Sequence, residues 1–92
     1  MPYSQKIVDA IAKTPKSLGT QLGRWAIYHD FSVLRVSKAL GVTRQTVYNW
    51  FLGNDIFPAY RDRAEWLLKI LQNSRSADDA WSTVCKELNL EP

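Results

Sequence analysis

The sequence predicts an all-α protein of five to six short helices around a central helix-turn-helix. Three observations carry that prediction. Apolar residues recur at three- and four-residue spacing along most of the 92-residue chain, the period of a helix with one inward face. No segment alternates for long with a period of two, so strands are not expected although Val and Thr are present. Gly41 separates two periodic runs between Ser32 and Gly53, at a point where a chain leaving a helix often takes a left-handed residue.

The elements follow in order. A first helix is expected from about Ser4 to Lys13, with Ile7, Ala10 and Ile11 on one face, and Thr14-Pro15 ends it because Pro disfavours a helical residue before it. Ser17 can cap a second helix, about Leu18 to His29, with Leu18, Leu22, Trp25 and Ala26 inward. Gly19 and Gly23 lie four apart there, which suits close approach by another helix at a cost of roughly 1 kcal/mol each relative to Ala. Asp30 to Ser32 is a short connection, and either polar end residue can cap a third helix, about Val33 to Leu40. Thr43 is the expected N-cap of a fourth, about Arg44 to Leu52, closed by the turn cluster Gly53-Asn54-Asp55.

Pro58 suits the first turn of a fifth helix, about Pro58 to Gln72, with Leu67, Ile70 and Leu71 inward and Trp66 beside them. Ser76 with Asp79 three residues on resembles a capping box at the head of a last helix, about Ala77 to Leu88. Trp81, Val84, Cys85 and Leu88 share one face of it. The chain reads as a single domain, 1–92, with 76–90 as a candidate dimer element.

The segment from Ser32 to Gly53 carries the functional signal. Val36, Leu40, Val42, Val47 and Trp50 are its apolar positions, which leaves Arg44, Gln45, Thr46, Tyr48 and Asn49 on the outside of the second helix. Those types can hydrogen-bond base edges and phosphates. The segment resembles the helix-turn-helix of the phage repressor and Cro family. That pattern takes an apolar residue at Val36, a small one at Ser37, apolar residues at Leu40 and Val42, Gly at Gly41, and apolar residues at Val47 and Trp50. Ser37 stands where the family prefers Ala, and Trp50 is larger than the usual aliphatic residue, so a roomy pocket must lie below it. A looser likeness to small regulators of tailed phages extends from Leu18 to Leu71, with LGTQLGRWA before the motif and TVYNWF within it.

The resemblance implies a lambda-repressor-like fold and a protein that binds double-stranded DNA sequence-specifically, as a phage-type transcriptional regulator or repressor. Its second motif helix would enter the major groove. Arg44 would then bridge guanine O6 and N7, or touch phosphate instead, and Gln45 can pair with adenine by the same geometry. Thr46 and Asn49 are further base-reading candidates. Thr43 and Thr46 can equally serve as caps, and Tyr48 can stack on a sugar or bond a phosphate. Lys38 and Arg35, on the first motif helix, would contact phosphate and fix register. Arg61 and Arg63 either flank the DNA or join Asp62 and Glu65 in a surface ion-pair network. One such helix covers few base pairs, so a homodimer on an inverted repeat is expected, formed through Trp81, Val84 and Leu88 or through the helix carrying Trp66.

Composition bounds the alternatives. Four Trp, four Tyr and three Phe in a chain that is 46% hydrophobic support a packed core, and each Trp falls on an apolar stripe. No apolar run approaches the roughly 18 residues of a membrane span, and MPYSQKIVDAIAK has no signal-like apolar core, so no membrane partner and a cytoplasmic location (the host's, if phage-encoded) are expected. The lone Cys85 and lone His29 give no zinc spacing. His29, beside Asp30 at a helix end, reads as a cap or a solvent-facing residue. Without a phosphate loop, paired carboxylates or a nucleophile motif, neither enzyme activity nor a cofactor or metal is expected.

Net charge is +3, with +5 over residues 1–44 (seven basic, two acidic) and −2 over 45–92 (five basic, seven acidic). The basic half suits a polyanion, and a solvated surface equally. The competing reading is a structural or adaptor protein, such as a phage particle component, that uses this fold to bind protein. A regulator of this size would act by occluding RNA polymerase or touching it. The sequence leaves open whether the first helix packs on the core or reaches toward DNA as a basic arm.

Overall fold

Among the described residues, five of the six helices begin on a hydroxyl side chain that accepts a hydrogen bond from a first-turn amide. In the computed structural model, which describes residues 3–91, these are α1 (Gln5–Lys13), α2 (Leu18–Tyr28), α3 (Val33–Leu40), α4 (Arg44–Phe51) and α6 (Ala77–Leu88). Ser4, Ser17, Ser32, Thr43 and Ser76 are the caps, each 3.1–3.3 Å from the amide three residues on. Each bond satisfies an amide that the helix itself leaves without a partner. α5 (Pro58–Asn73) starts on Pro58 instead, whose missing N–H needs no cap. Among the described residues there is no strand.

The C-terminal ends follow a second rule. Asp30, Gly41, Gly53 and Asn89 take positive φ directly after α2, α3, α4 and α6 or one residue beyond. In each case the next amide reaches back five residues, as Phe31 does to the Ala26 carbonyl (2.7 Å) and Val42 to that of Ser37 (3.1 Å). Gly41 has φ +69°, and a Cβ there would meet nothing within 4 Å, so conformation rather than space selects glycine. The connection between α2 and α3 divides its roles: Ser32 caps α3, while Asp30 is the left-handed residue that closes α2.

α2 lies at the centre and packs on α1, α4 and α5, and α3 packs on α4, α5 and α6. Leu22, Ala26, Phe31, Val36, Ala39, Val47, Phe51, Ala64, Leu67, Leu71, Ala80 and Val84 are fully buried. Sequence periodicity marked part of the inward faces of α2 to α6, but Tyr3, Phe31, Val33, Phe51, Ile56 and Ala64 join the core without having been expected there. The buried hydroxyls are satisfied: Thr20 Oγ1 donates to the Pro15 carbonyl and shares a bond with Ser17, and Ser37 donates to Leu34.

The apolar stripe of α6 is covered largely within the chain: Trp81, Val84 and Cys85 are buried and Leu88 is half-buried. One expectation is corrected. The capping box of α6 is shifted by one residue, because Asp79 accepts from the Arg75 amide (2.9 Å) rather than from that of Ser76. α1 packs on the core. Ile11 is buried, and the Tyr3 hydroxyl donates to the Phe31 carbonyl. No helix among the described residues is long and apolar enough to cross a membrane.

Candidate nucleic-acid interface

α4 is mounted on the body through one side. Val47, Trp50 and Phe51 are buried, and Gly19 and Gly23 of α2 make the seat. A Cβ on Gly19 would stand 2.2 Å from the Trp50 carbonyl oxygen, and one on Gly23 would stand 2.9 Å from the Phe51 ring. The α4 backbone therefore rests directly on the α2 backbone. The large Trp50 indole is buried on another side, with its ring 5.7 Å from that of Tyr60. Gly41 and the N-cap Thr43 set how α4 leaves α3.

The opposite side of α4 is polar. Arg44 and Gln45 are exposed, and Thr46, Tyr48 and Asn49 are half-buried. Gln45 Nε2 donates to Asn49 Oδ1 at 3.0 Å, one turn away, and the Thr43 and Thr46 hydroxyls are 2.9 Å apart. Each pair has donors and acceptors that remain available to a ligand. Arg44 occupies the first position of α4, whose first turn holds no acidic residue. A cation is disfavoured at that positive helix end. Charge and helix dipole therefore add at one exposed spot, which complements a phosphate or the acceptor edge of guanine. Lys38 is exposed on α3, and neither it nor Arg44 has an ion-pair partner among the described residues.

Three basic residues are engaged elsewhere. Arg35, expected at phosphate, turns to α6: it pairs with Asp78 at 3.2 Å and stacks 5.3 Å above the Trp81 ring. Arg63 donates from Nε to the Ala39 carbonyl at 3.0 Å and lies over Trp66 at 5.4 Å. Arg63 thus satisfies a C-terminal carbonyl of α3 instead of pairing with Asp62 or Glu65. Arg24 donates to the Ala12 and Thr14 carbonyls at the end of α1. Tyr48 is also less free than its position on the helix suggests, since it packs against the core.

The four indoles, His29 and Cys85 take structural places. Trp50 and Trp81 are core residues, while Trp25 and Trp66 are half-buried. Trp66 donates its indole N–H to Glu87 (3.0 Å). His29 closes α2 and places Nε2 2.8 Å from the Leu71 carbonyl, which ties the ends of α2 and α5 together. Cys85 is buried on the inner face of α6. Comparison of the chain with protein-family models, with curated proteins and with solved structures finds no match.

Proposed function

We propose that the protein binds double-stranded DNA sequence-specifically, as a transcriptional regulator of the phage type, by laying α4 in the major groove. The observation that carries the reading is the two-sided character of α4. Its inner side is fixed against Gly19 and Gly23, while its outer side presents Arg44, Gln45, Thr46 and Asn49. A reading helix needs that combination, because base discrimination depends on side chains held at a set depth and angle.

In this reading Arg44 takes the guanine O6 and N7 acceptors, and Gln45 with Asn49 reads adenine or positions a neighbouring base. Thr43, Thr46 and Lys38 hold the backbone. Tyr48 reaches the sugar-phosphate only with its outer edge. Arg35 is assigned a structural role. Two copies on an inverted repeat would extend the short contact that one helix makes, with half-sites about one helical turn apart.

The test is selection of bound duplexes from a random pool, with wild type and Arg44→Ala in parallel at near-physiological salt. The expected result is an enriched inverted repeat whose preference relaxes at one base pair in the variant, a loss of roughly 1–3 kcal/mol in discrimination there. No enrichment, with weak binding that salt abolishes, overturns sequence-specific regulation. No duplex binding at any salt redirects the search to a protein partner.

A further inference from the structure

The geometry points to α1 as a second DNA-contacting element: a basic flank that places Lys6, Lys13 and Lys16 on the phosphates beside the groove that α4 enters. This rests on the reading of α4 given above. Its ground is where α1 lies. Tyr3, just before the helix, is buried with its ring 6.3 Å from that of Phe51 in α4. Thr14, at the other end, meets the turn that follows α4, since a Cβ on Gly53 would come 2.8 Å from Thr14 Cγ2. The residues that flank α1 therefore touch α4 and the turn that follows it.

Helical periodicity then assigns the sides of α1. Val8, Ile11 and Ala12 line a groove with Arg24 and Ile27 of α2, so that side faces α2. Lys6 and Lys13, seven residues apart, fall on one line of the helix turned away from that groove. Both lie on the chain between the two contacts to α4 and its exit, at Tyr3 and Thr14, and Lys16 follows in the connection to α2. All three are exposed and have no ion-pair partner among the described residues. Asp9, the one acid of α1, accepts from Gln5 at 2.8 Å.

The flank is also held still. Arg24 fastens the Ala12 and Thr14 carbonyls, the Thr14 hydroxyl donates to the Ala10 carbonyl (2.8 Å), and Tyr3 is tied to Phe31. A braced helix adds no backbone ordering when its lysines meet a phosphate row, so only side-chain freedom is lost. The occupant is the DNA backbone because the surface offers positive charge without base-reading geometry. Such contacts add affinity and fix register but carry no sequence information.

The test compares wild type, K6Q/K13Q/K16Q and K69Q/R75Q/K86Q by fluorescence anisotropy between about 50 and 200 mM salt. The probes are the duplex that wild type enriches and an unrelated duplex of equal length. The second triple removes the same charge from α5, α6 and the segment joining them. The expected result is that K6Q/K13Q/K16Q lowers the slope of log affinity against log salt by about 2–3, near 0.9 per phosphate contact. It weakens both duplexes by the same factor and keeps the wild-type base preference. K69Q/R75Q/K86Q leaves the slope near that of wild type. An unchanged slope in the α1 triple, or the same loss in both triples, overturns the proposal. Wild-type protein that binds no duplex marks failure of the α4 reading itself, and the proposal falls with it.

Discussion

The two sides of α4 obey different physics. The inner side is a backbone-on-backbone contact in which Gly19 leaves no room for even a methyl group below Trp50. The outer side is a row of polar side chains that bond one another loosely and touch no other helix through those bonds. Atoms on the inner side cannot change without moving a helix, because interiors are close-packed and a misfit must be relieved by backbone shifts. Atoms on the outer side can change with little consequence for folding. A surface that is fixed in place yet chemically replaceable suits recognition, since new side chains give new preferences on the same mount.

Gly19→Ala is the strongest way to break that contrast. The new methyl would overlap the Trp50 carbonyl, which is backbone and has no alternative rotamer. We expect a loss of about 3 kcal/mol in urea denaturation, the upper end of ordinary overpacking, and a loss of duplex binding that follows from displacing α4. Arg44→Ala is the counterpart on the other side, with stability unchanged within about 0.5 kcal/mol. If Gly19→Ala were as stable as wild type, the rigid mount would not exist and the contrast would collapse.

The same contrast explains how much was legible in the sequence. Helix caps and inward stripes depend on residues three and four apart, so Ser17, Thr43, Ser76 and the Leu67–Leu71 pair announced themselves, while the cap of α3 was narrowed to Asp30 or Ser32. Gly41 did so too, because a left-handed turn is a local requirement. The polar row of α4 was legible as what an apolar stripe leaves over. Contacts across helices were not. Periodicity says which face turns inward but not which neighbour it meets, so Arg35 could not be assigned to Asp78, Arg63 to Ala39 or His29 to Leu71. The α6 stripe was legible as apolar, yet whether its own chain or a second copy covers it depends on how α3 and α5 pack.

Tyr3 sharpens the inner side of the comparison. Burial foremost, with nearby Tyr48 and Asp30 adding negative potential, pushes its phenol well above the ordinary range near 10. The protonated form is the one that donates to Phe31. A raised folded value means that the full contribution to stability holds below about pH 10 and is lost as pH rises from there toward the folded value. Tyr3→Phe should cost about 1 kcal/mol at neutral pH, since the buried Phe31 carbonyl loses its partner. As pH rises from about 10, however, wild type should lose more stability than the variant. Parallel stability curves over that rise would remove Tyr3 from the packed set that anchors α1.

The smallest expected effect lies at the border between the two kinds of surface. Arg35 belongs to the first motif helix, but its guanidinium is committed to α6 through an exposed carboxylate and a buried indole. Asp78 is 92% exposed, so its bond to Arg35 is screened by water, and Asp78→Asn should change stability by less than about 0.5 kcal/mol. The stacking over Trp81 and the packed aliphatic stem are less screened. Arg35→Ala should therefore cost about 1 kcal/mol. A double-mutant cycle on Arg35 and Asp78 separates the two contributions. Small coupling, with Arg35→Ala costly on either background, assigns Arg35 to the packed side of the molecule, where Trp81 holds it. Coupling equal to the whole Arg35→Ala cost would instead make Arg35 an ordinary surface residue, returning it to the set of side chains that a phosphate could recruit.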